Sequence, residues 1–470
     1  MKPSLLLLIG LLTLLSPAAG AATDSTQAQK LYEQVTPSLV AVQYTWEHEL
    51  GRQEVIGAGV VVGEDGTVIL PLAVANPGIP DEQMKDFKII VPREDADPDE
   101  IDATFIGRDD RTNLAFVRAK PGKSSPAGET RKWKPIKFED VSLQVGDPVV
   151  SVGVLPKMAG YKSYLMLANV AAMLRGEVPQ VMVSGGGLGV IGSPVFNSAG
   201  KAVGYVNLQT AQQILLNDRN NPLAAVNNPP KFFVPARDFL QSFEDPPVAG
   251  QSMKLPWMGV VQLTGLRKEV AEFYGLGNQP AVQIGDVIKN TPAEKAGLKA
   301  GWIIVKMNGQ PLERGDEPEE LPQILRRKVL RMKVGSQVTF QILEEPNKPL
   351  KDVTLTLDEQ PKRPNLAQRW YDDRLGLGVR EIVFSDTYRA KLPADQKGVV
   401  VSVVKPSSSA ETARVKMNDI VTQMNGKPVE DLEQFKTDFQ QFRKEKPREA
   451  VILEVTREGN TQVIRIEPPQ

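Results

Sequence analysis

A glycine-rich run in the middle of the chain has the spacing of a phosphate-binding loop. Gly187, Gly189 and Gly192 stand at the positions of G-x-G-x-x-G, which lets a backbone approach a dinucleotide pyrophosphate. That function also needs a helix after the third glycine and an acidic residue about 20 positions further on. Residues 193–195 read as a strand instead, and 207–212 carry no carboxylate. We therefore expect no nucleotide cofactor, and no other cofactor is indicated.

The residue types that usually hold metals or act as nucleophiles are scarce. The chain has no cysteine and a single histidine, His48, so thiolate chemistry, disulfides and the usual zinc ligand sets are excluded. Asp95, Asp97 and Asp99 alternate as in a calcium loop, but that loop needs glycine at its sixth position and glutamate at its twelfth. Neither is present here. We expect a solvated hairpin loop and no metal site.

Length and charge limit the classes of partner. A chain of 470 residues is long enough for about three domains of roughly 150 residues. Its 56 basic and 57 acidic side chains leave a formal charge of -1. No global basic field is available for nucleic acid, so no nucleic-acid partner is expected.

The first residues have the pattern of a secretory signal peptide. Lys2 precedes an apolar stretch from Leu5 to Leu15, and Ala19-Gly20-Ala21 gives an A-x-A exit. The alternative is a membrane anchor, but the stretch is shorter than the ~20 residues that span hydrocarbon. We expect residues 1–21 to be removed and the protein to be exported, either periplasmic or secreted. No later segment is apolar enough to cross a bilayer.

Short β-rich runs dominate the first half of the chain. They alternate with Gly, Pro and Asp turns, without long helices between them, and this spacing predicts an all-β barrel or sandwich over residues 28–244. Residues 245–250 (DPPVAG) are predicted to be a linker.

The second half of the chain repeats itself. Residues 302–312 (WIIVKMNGQPL) match 419–429 (DIVTQMNGKPV), 117 positions later. Residues 291–301 match 408–418 at the same offset. The PAEKAGL segment of the first copy has a proline that opens a short helix. Each copy has an Asn-Gly turn between strands and a later segment, 319–330 or 431–443, with helical apolar spacing. Two copies indicate tandem domains rather than a solenoid.

Each copy resembles a PDZ peptide-binding domain, which would place these two α+β domains at residues 256–360 and 374–468, with 361–373 as the linker between them. In PDZ domains a G-φ-G-φ loop presents backbone amides to a C-terminal carboxylate, and the peptide adds a strand to a sheet edge. The loops align loosely as WMGVV at 257–261 and LGLGV at 375–379. The alternative for each copy is a structural spacer.

The second copy carries the closer match to the PDZ loop, and we predict that it binds peptides. Its loop residues are Gly376, Leu377, Gly378 and Val379. In the first copy the corresponding residues, Trp257, Met258, Gly259 and Val260, depart from the pattern, so the first loop is the weaker candidate.

A β-rich domain followed by two PDZ-like repeats behind a signal peptide resembles the HtrA/DegP family of exported serine proteases. This resemblance implies a mainly β protein with a trypsin-like double β-barrel ahead of the PDZ domains. Its landmarks run through the first domain: GAGVVVGEDGTVIL at 57–70, IGRDDRTNLAFV at 106–117, VGDPVVSVG at 145–153, GVIGSPVFNSAGKAVG at 189–204 and FFVPARDFL at 232–240.

All three positions of the family's catalytic triad are substituted. The family's histidine base corresponds to Ala73, its aspartate to Asn113, and its serine nucleophile to Ile191. In a well-studied triad, loss of the nucleophile or base alone costs on the order of 10⁶ in turnover. The resemblance therefore implies a protease scaffold without the protease's reaction.

Two remnants of the site keep other hypotheses open. Ser184 and Ser193 flank the old nucleophile position, and a Ser–Lys dyad with Lys201 is one alternative, whereas His48 lies outside every motif. The family's oxyanion hole corresponds to the backbone N–H groups of Gly189 and Ile191, which could still hold a carbonyl. The alternative is a plugged cleft, because Ile191 places an apolar side chain where a substrate would enter.

We therefore predict an exported, proteolytically inactive HtrA-like protein. It would bind polypeptide segments or C-termini through its PDZ domains, as a chaperone-like scaffold or as a regulator of an active relative. One alternative is a serine endopeptidase that works by a relocated mechanism, and another is a structural subunit of a hetero-oligomer. The resemblance also implies a homotrimer.

Overall fold

The computed structural model describes residues 25–94, 96–121, 131–175, 178–207 and 232–469. The predicted signal peptide lies outside these ranges. Within them, no helix is both long enough and apolar enough to cross a membrane.

A short amphipathic helix leads into a closed six-stranded barrel. Helix α1 (Ser25–Val35) buries its apolar face, and a 3-10 turn that contains Pro37 ends it before the first strand. The barrel strands pair in the order β1-β2-β3-β6-β5-β4. They are β1 (Leu39–His48), β2 (Gly51–Val61), β3 (Thr67–Pro71), β4 (Met84–Val91), β5 (Asp99–Asp109) and β6 (Leu114–Ala119).

A second closed barrel follows, with the order β10-β11-β12-β9-β8-β7, so the predicted double barrel is confirmed. Helix α2 (Gln241–Glu244) comes after it. Valines and other apolar residues of both barrels form shared buried clusters, which joins the two barrels. The strands are β7 (Pro148–Val154), β8 (Ser163–Leu174), β9 (Gln180–Gly185), β10 (Pro194–Asn197), β11 (Ala202–Tyr205) and β12 (Phe232–Pro235).

The first repeat is a small α+β domain built around the sheet β15-β16-β18-β20-β21. Its helices are α3 (Lys268–Phe273), α4 (Pro292–Lys295) and α5 (Leu321–Leu330). Its strands are β13 (Pro256–Trp257), β14 (Val260–Val261), β15 (Thr264–Gly265), β16 (Val282–Gln283), β17 (Asp286–Val287), β18 (Ile303–Met307), β19 (Gln310–Pro311), β20 (Gln337–Leu343), β21 (Lys351–Thr356) and β22 (Asp358–Glu359).

The second repeat has the same plan around the sheet β23-β24-β25-β26-β28-β29. Its helices are α6 (Phe384–Ala390), α7 (Ser409–Thr412) and α8 (Leu432–Glu445). Its strands are β23 (Arg369–Asp372), β24 (Leu377–Glu381), β25 (Val399–Val404), β26 (Ile420–Met424), β27 (Lys427–Pro428), β28 (Val451–Arg457) and β29 (Asn460–Ile466).

The offset of 117 also holds at the glycine loops, so the sequence alignment there was wrong by one residue. Gly259 and Gly376 both have positive φ, 86° and 68°. A Cβ on Gly259 would lie 2.2 Å from the Thr291 side chain, and one on Gly376 would lie 2.4 Å from the Ser408 side chain. Gly376 is therefore equivalent to Gly259, because the two glycines meet equivalent partners.

The segment 361–373, predicted to be a linker, is only partly one. Its last residues form strand β23, which pairs with β24 and belongs to the second repeat. The apolar side chains of Trp370 and Tyr371 are the sequence signal against a linker at this end of the segment.

Direct contacts join the three domains. Arg331, after α5, donates from Nη2 to the backbone oxygen of Asp238 at 2.7 Å, and it lies 3.3 Å from that residue's carboxylate. The rings of Trp257 in the first repeat and Phe384 in the second lie 5.4 Å apart, edge to face. The first repeat therefore contacts both the second repeat and the turn that follows β12.

Candidate functional site

Three turns converge at the interface of the two barrels, where a trypsin-like protease would carry its triad. Ala73 lies in the turn after β3, and both Ala73 and Ile191 pack into one buried cluster. Asn113 lies in the β5–β6 turn with a positive φ of 58°. Its backbone oxygen accepts hydrogen bonds from Leu72 N–H and from Asn207 Nδ2, both at 2.9 Å. The structure thus brings the turns of the three substituted positions together.

An apolar side chain, that of Ile191, stands at the position that the family resemblance assigns to the nucleophile. Ile191 is 1% exposed and packs among valines and leucines of both barrels. The next residue, Gly192, has a φ of 101°, and a Cβ there would lie 2.5 Å from the backbone oxygen of Ala58. The glycine therefore allows the turn to press against β2 of the first barrel.

The backbone amides around Ile191 mostly have partners. Gly189 N–H, one half of the oxyanion pair expected from the sequence, donates to Ser151 Oγ at 3.1 Å. Val190 N–H donates to the Tyr164 hydroxyl at 2.8 Å. Burial raises the pKa of Tyr164 to about 12, so this hydroxyl stays neutral under ordinary conditions. A substrate carbonyl would have to displace Ser151 to reach the amide of Gly189.

A relocated mechanism would draw on Ser193, Lys201 or His48, and the structure places these side chains apart from one another. The hydroxyl of Ser193 is buried without a hydrogen-bond partner among the described residues. The amine of Lys201 binds Glu139 at 2.6 Å on an exposed surface. His48 lies at the tip of the β1–β2 hairpin, with its ring 4.4 Å from that of Trp46. None of these geometries pairs a serine with a base.

The described residues contain no group of three or more His, Cys, Asp or Glu side chains placed to hold a metal ion. Of the alternating aspartates predicted to lie in a loop, Asp97 falls between β4 and β5, whereas Asp99 is the first residue of β5 and pairs with Val91 in the antiparallel hairpin. Asp95 itself lies outside the described residues.

An open groove of about 460 Å³ runs along the first repeat. Residues 256–263 form one wall and helix α5 forms the other. Residues 360–364 and the start of α6 also line it. The lining is more apolar than polar, and the side chains that matter below are Met258, Val260, Leu263, Gln323, Arg326 and Val329.

The backbone of this groove is available for a ligand. In the described part of the chain, β14 pairs with β17 on one edge only. The amides of Met258 and Gly259 donate to no acceptor within the described ranges. A free strand edge beside free loop amides is the arrangement that adds a peptide strand and captures its terminal carboxylate.

The equivalent groove in the second repeat is occupied by the chain itself. Strand β24, which contains Leu377, Gly378 and Val379, pairs with β25 on one edge and with β23 on the other. The amide of Gly376 donates to the backbone oxygen of Asp372 at 2.9 Å. The sequence favoured the second copy as the peptide site, whereas the structure has the open groove in the first.

Sequence reasoning missed the helical wall of the open groove. The apolar spacing of residues 319–330 predicted a helix, and α5 confirms it, but no sequence signal identified Gln323, Arg326 and Val329 as groove residues. A smaller cavity of about 240 Å³ shares Gln323, Arg326 and Leu330 of α5 with the open groove. It also reaches Leu72 and Asn113, so helix α5 lines both the groove and a cavity beside the turns of the first barrel.

Comparison with known proteins agrees with this architecture. Residues 57–204 match the trypsin-like peptidase domain, and residues 258–357 and 375–467 each match the PDZ domain. A relative named "Probable periplasmic serine endoprotease DegP-like" from Marinomonas sp. is 25% identical over 394 residues, which cover 82% of this chain and 74% of the relative.

Other relatives carry the same name. The one from Bartonella henselae is 25% identical over 435 residues, covering 91% of this chain and 77% of its own. The one from Brucella suis is 26% identical over 377 residues, covering 79% and 66%. A solved structure, described as the HtrA-type protease AlgW with tripeptide, superposes with a TM-score of 0.50 at 16% identity over 72% of this chain and 98% of that one. This last likeness concerns the fold alone.

Proposed function

We propose that this chain is an HtrA-family protein that binds polypeptides and lacks serine-protease activity. Its trypsin-like peptidase domain, two PDZ domains and DegP-like relatives support the family. The apolar side chain of Ile191 and the substitutions at Ala73 and Asn113 support inactivity, because among the described residues no base and no nucleophile meet in the cleft.

The open groove of the first repeat is the observation that carries the binding function. An extended peptide would pair with the free edge of β14 and point its last carboxylate at the amides of Met258 and Gly259. Its last side chain would face the apolar lining of Met258, Leu263 and Val329. The ligand class is therefore a polypeptide C-terminus with an apolar last residue.

Export to the periplasm or outside the cell follows from the predicted signal peptide and is supported by the names of the relatives. In that compartment the protein would act as a chaperone-like scaffold or as a regulator of an active HtrA relative. A homotrimer is part of this proposal, on the basis of the family resemblance.

Peptide binding tests the proposal directly. The probe is a set of fluorescent hexapeptides that end in Val, Leu or Phe, each with a free carboxylate and again as the C-terminal amide. Loss of a hydrogen-bonded charge costs about 1.5–3 kcal/mol, so the amides should bind at least tenfold more weakly. Fluorescence anisotropy measures both sets.

Two tryptophan variants locate the site. Gln323→Trp fills the groove from an exposed position on α5 and should weaken binding at least tenfold, whereas Gln337→Trp, on an exposed position of β20, should leave it unchanged. Equal affinity of the two variants for the peptides, or equal affinity of the wild-type protein for the free and amidated peptides, would exclude the first groove as the binding site.

The alternative is a serine endopeptidase with a relocated mechanism, which the names of the relatives favour. A fluorophosphonate probe and casein cleavage separate the two functions. Labelling of any serine in the wild-type protein would support the alternative, and absence of both labelling and cleavage would support the inactive protein.

A further inference from the structure

Strand β23 lies where a PDZ ligand would lie. It runs antiparallel to β24 in a register that pairs Trp370 with Val379 and Asp372 with Leu377. The opposite edge of β24 is paired with β25, so β23 takes the edge that faces helix α8. A peptide that adds to a PDZ sheet occupies this edge, with its C-terminal end at the glycine loop.

Asp372 supplies the oxygens that a terminal carboxylate would supply. Its Oδ1 accepts the hydrogen bond of Leu375 N–H at 2.8 Å, and its backbone oxygen accepts that of Gly376 N–H at 2.9 Å. By the 117-residue offset, these two amides correspond to those of Met258 and Gly259 in the first repeat. The amides that are free in one copy are therefore satisfied internally in the other.

Trp370 fills the space between β24 and α8. Its ring lies 5.0 Å from that of Phe439 and 6.1 Å from that of Phe435, edge to face in both cases. Both phenylalanines are buried in the core of the second repeat. The tryptophan thus contributes apolar contact where a ligand side chain would otherwise bind.

Ion pairs and hydrogen bonds hold β23 at both ends. At the turn, Lys405 Nζ lies 2.8 Å from Asp373, and this lysine lowers the pKa of the aspartate. At the open end, the carboxylate of Glu381 accepts from Gln368 N–H at 2.9 Å and from Lys362 Nζ at 2.7 Å. Strand β23 is therefore held at both ends as part of a hairpin with β24.

We propose that residues 369–372 are an intramolecular ligand of the second PDZ domain, which keeps its groove closed to external peptides until this strand is displaced. The inference concerns the second groove and does not depend on binding at the first. It predicts that the two PDZ domains of one chain differ in availability, although their loops are equivalent.

Hydrogen–deuterium exchange of the full chain, read by mass spectrometry, tests this inference. The probe is a synthetic peptide with the sequence of residues 365–372 (NLAQRWYD) and a free C-terminal carboxylate. In the wild-type protein we expect residues 375–381 to exchange slowly and to show no change when the probe is added. In the double variant Trp370→Ala/Asp372→Ala, the same residues should exchange at least tenfold faster, and the probe should restore their protection.

Strands β28 and β29 report whether the second repeat stays folded in the variant. If they lose protection, Asp372→Ala alone is used, because it removes one acceptor and leaves the apolar contacts of Trp370 intact. Phe273→Ala, which truncates a side chain that is 70% exposed in the first repeat, is the matched control and should leave residues 375–381 unchanged.

Two results would overturn the inference. One is fast exchange of residues 375–381 in the wild-type protein, equal to that of the variants. The other is probe-induced protection of those residues in the wild-type protein. Neither result bears on the first groove, whose test uses peptides with an apolar last residue, so failure here is distinguishable from failure of the proposed function.

Discussion

Ser151 Oγ accepts the hydrogen bond of Gly189 N–H, at 3.1 Å. The same hydroxyl donates to the backbone oxygen of Pro194 at 3.1 Å, so it links the two sides of the turn that carries Ile191. The amide that the family resemblance assigns to the oxyanion hole is thus part of the internal hydrogen bonding of the second barrel. Restoring the triad residues alone would leave this bond in place.

The first prediction concerns this bond. We expect the triple variant Ala73→His/Asn113→Asp/Ile191→Ser to react slowly with a fluorophosphonate. Adding Ser151→Ala should accelerate labelling by about 10- to 100-fold, because one oxyanion donor is typically worth 10²–10³ in rate and Gly189 N–H becomes free. Mass spectrometry locates the label at position 191, and a further Ser193→Ala change should not remove it. Equal rates for the triple and quadruple variants would contradict the role given to Ser151.

The second prediction concerns the glycine of the open loop. Gly259→Ala should destabilise the first repeat by about 2–3 kcal/mol, since it combines a positive φ with a Cβ that meets Thr291. Gly309→Ala is the matched control, because Gly309 also has a positive φ but open space around its Cβ position. The control should cost only about 1 kcal/mol. Urea unfolding measures both, and equal losses would show that the Thr291 contact is unimportant.

The third prediction concerns alkaline stability. Burial raises the pKa of Tyr164 to about 12 from its ordinary 10.0, so folding favours the neutral phenol. Its contribution is complete below pH 10 and is lost as the pH rises from 10 towards 12. The free energy of unfolding should therefore fall less steeply in Tyr164→Phe than in the wild-type protein, by about 1.4 kcal/mol per pH unit in that window.

Urea unfolding between pH 8 and 12 measures the two slopes, each referred to its own value at pH 8. This reference removes the constant loss of the hydrogen bond from Val190. Tyr44, whose pKa burial also raises to about 12, remains in the variant, so some decline should persist. Parallel curves would show that Tyr164 ionises as easily in the folded protein as in the unfolded chain.

The parts of the fold that depend on local sequence patterns could be predicted from the sequence. The Asn308-Gly309 and Asn425-Gly426 turns and the short β runs of the barrels all have local signatures, and the structure contains each of them. The positions of Ala73, Asn113 and Ile191 came from motif resemblance, and the structure brings their turns together.

Features that depend on distant contacts were not accessible in this way. Ser151 lies 38 positions before Gly189, and nothing in the local sequence pairs them. The choice of the second copy as the peptide site rested on its closer G-φ-G-φ match, since the sequence does not show that Trp370 pairs back onto β24. The composition of the glycine loop predicts backbone amides that can bind a carboxylate. Whether those amides are free depends on neighbouring segments of the chain, such as β23.

The turn between β23 and β24 contains only residues 373–376. A ligand tethered by so short a connection has an effective concentration of the order of millimolar or above, independent of how much protein is present. If an external peptide binds the second groove as tightly as β23 does, its concentration must exceed this effective concentration before it displaces the strand. The first groove has no such competitor among the described residues, so it fills when the peptide concentration reaches its Kd. One chain would then bind polypeptide C-termini at two different concentrations. The second groove would bind them only when unfolded or cleaved polypeptide is abundant.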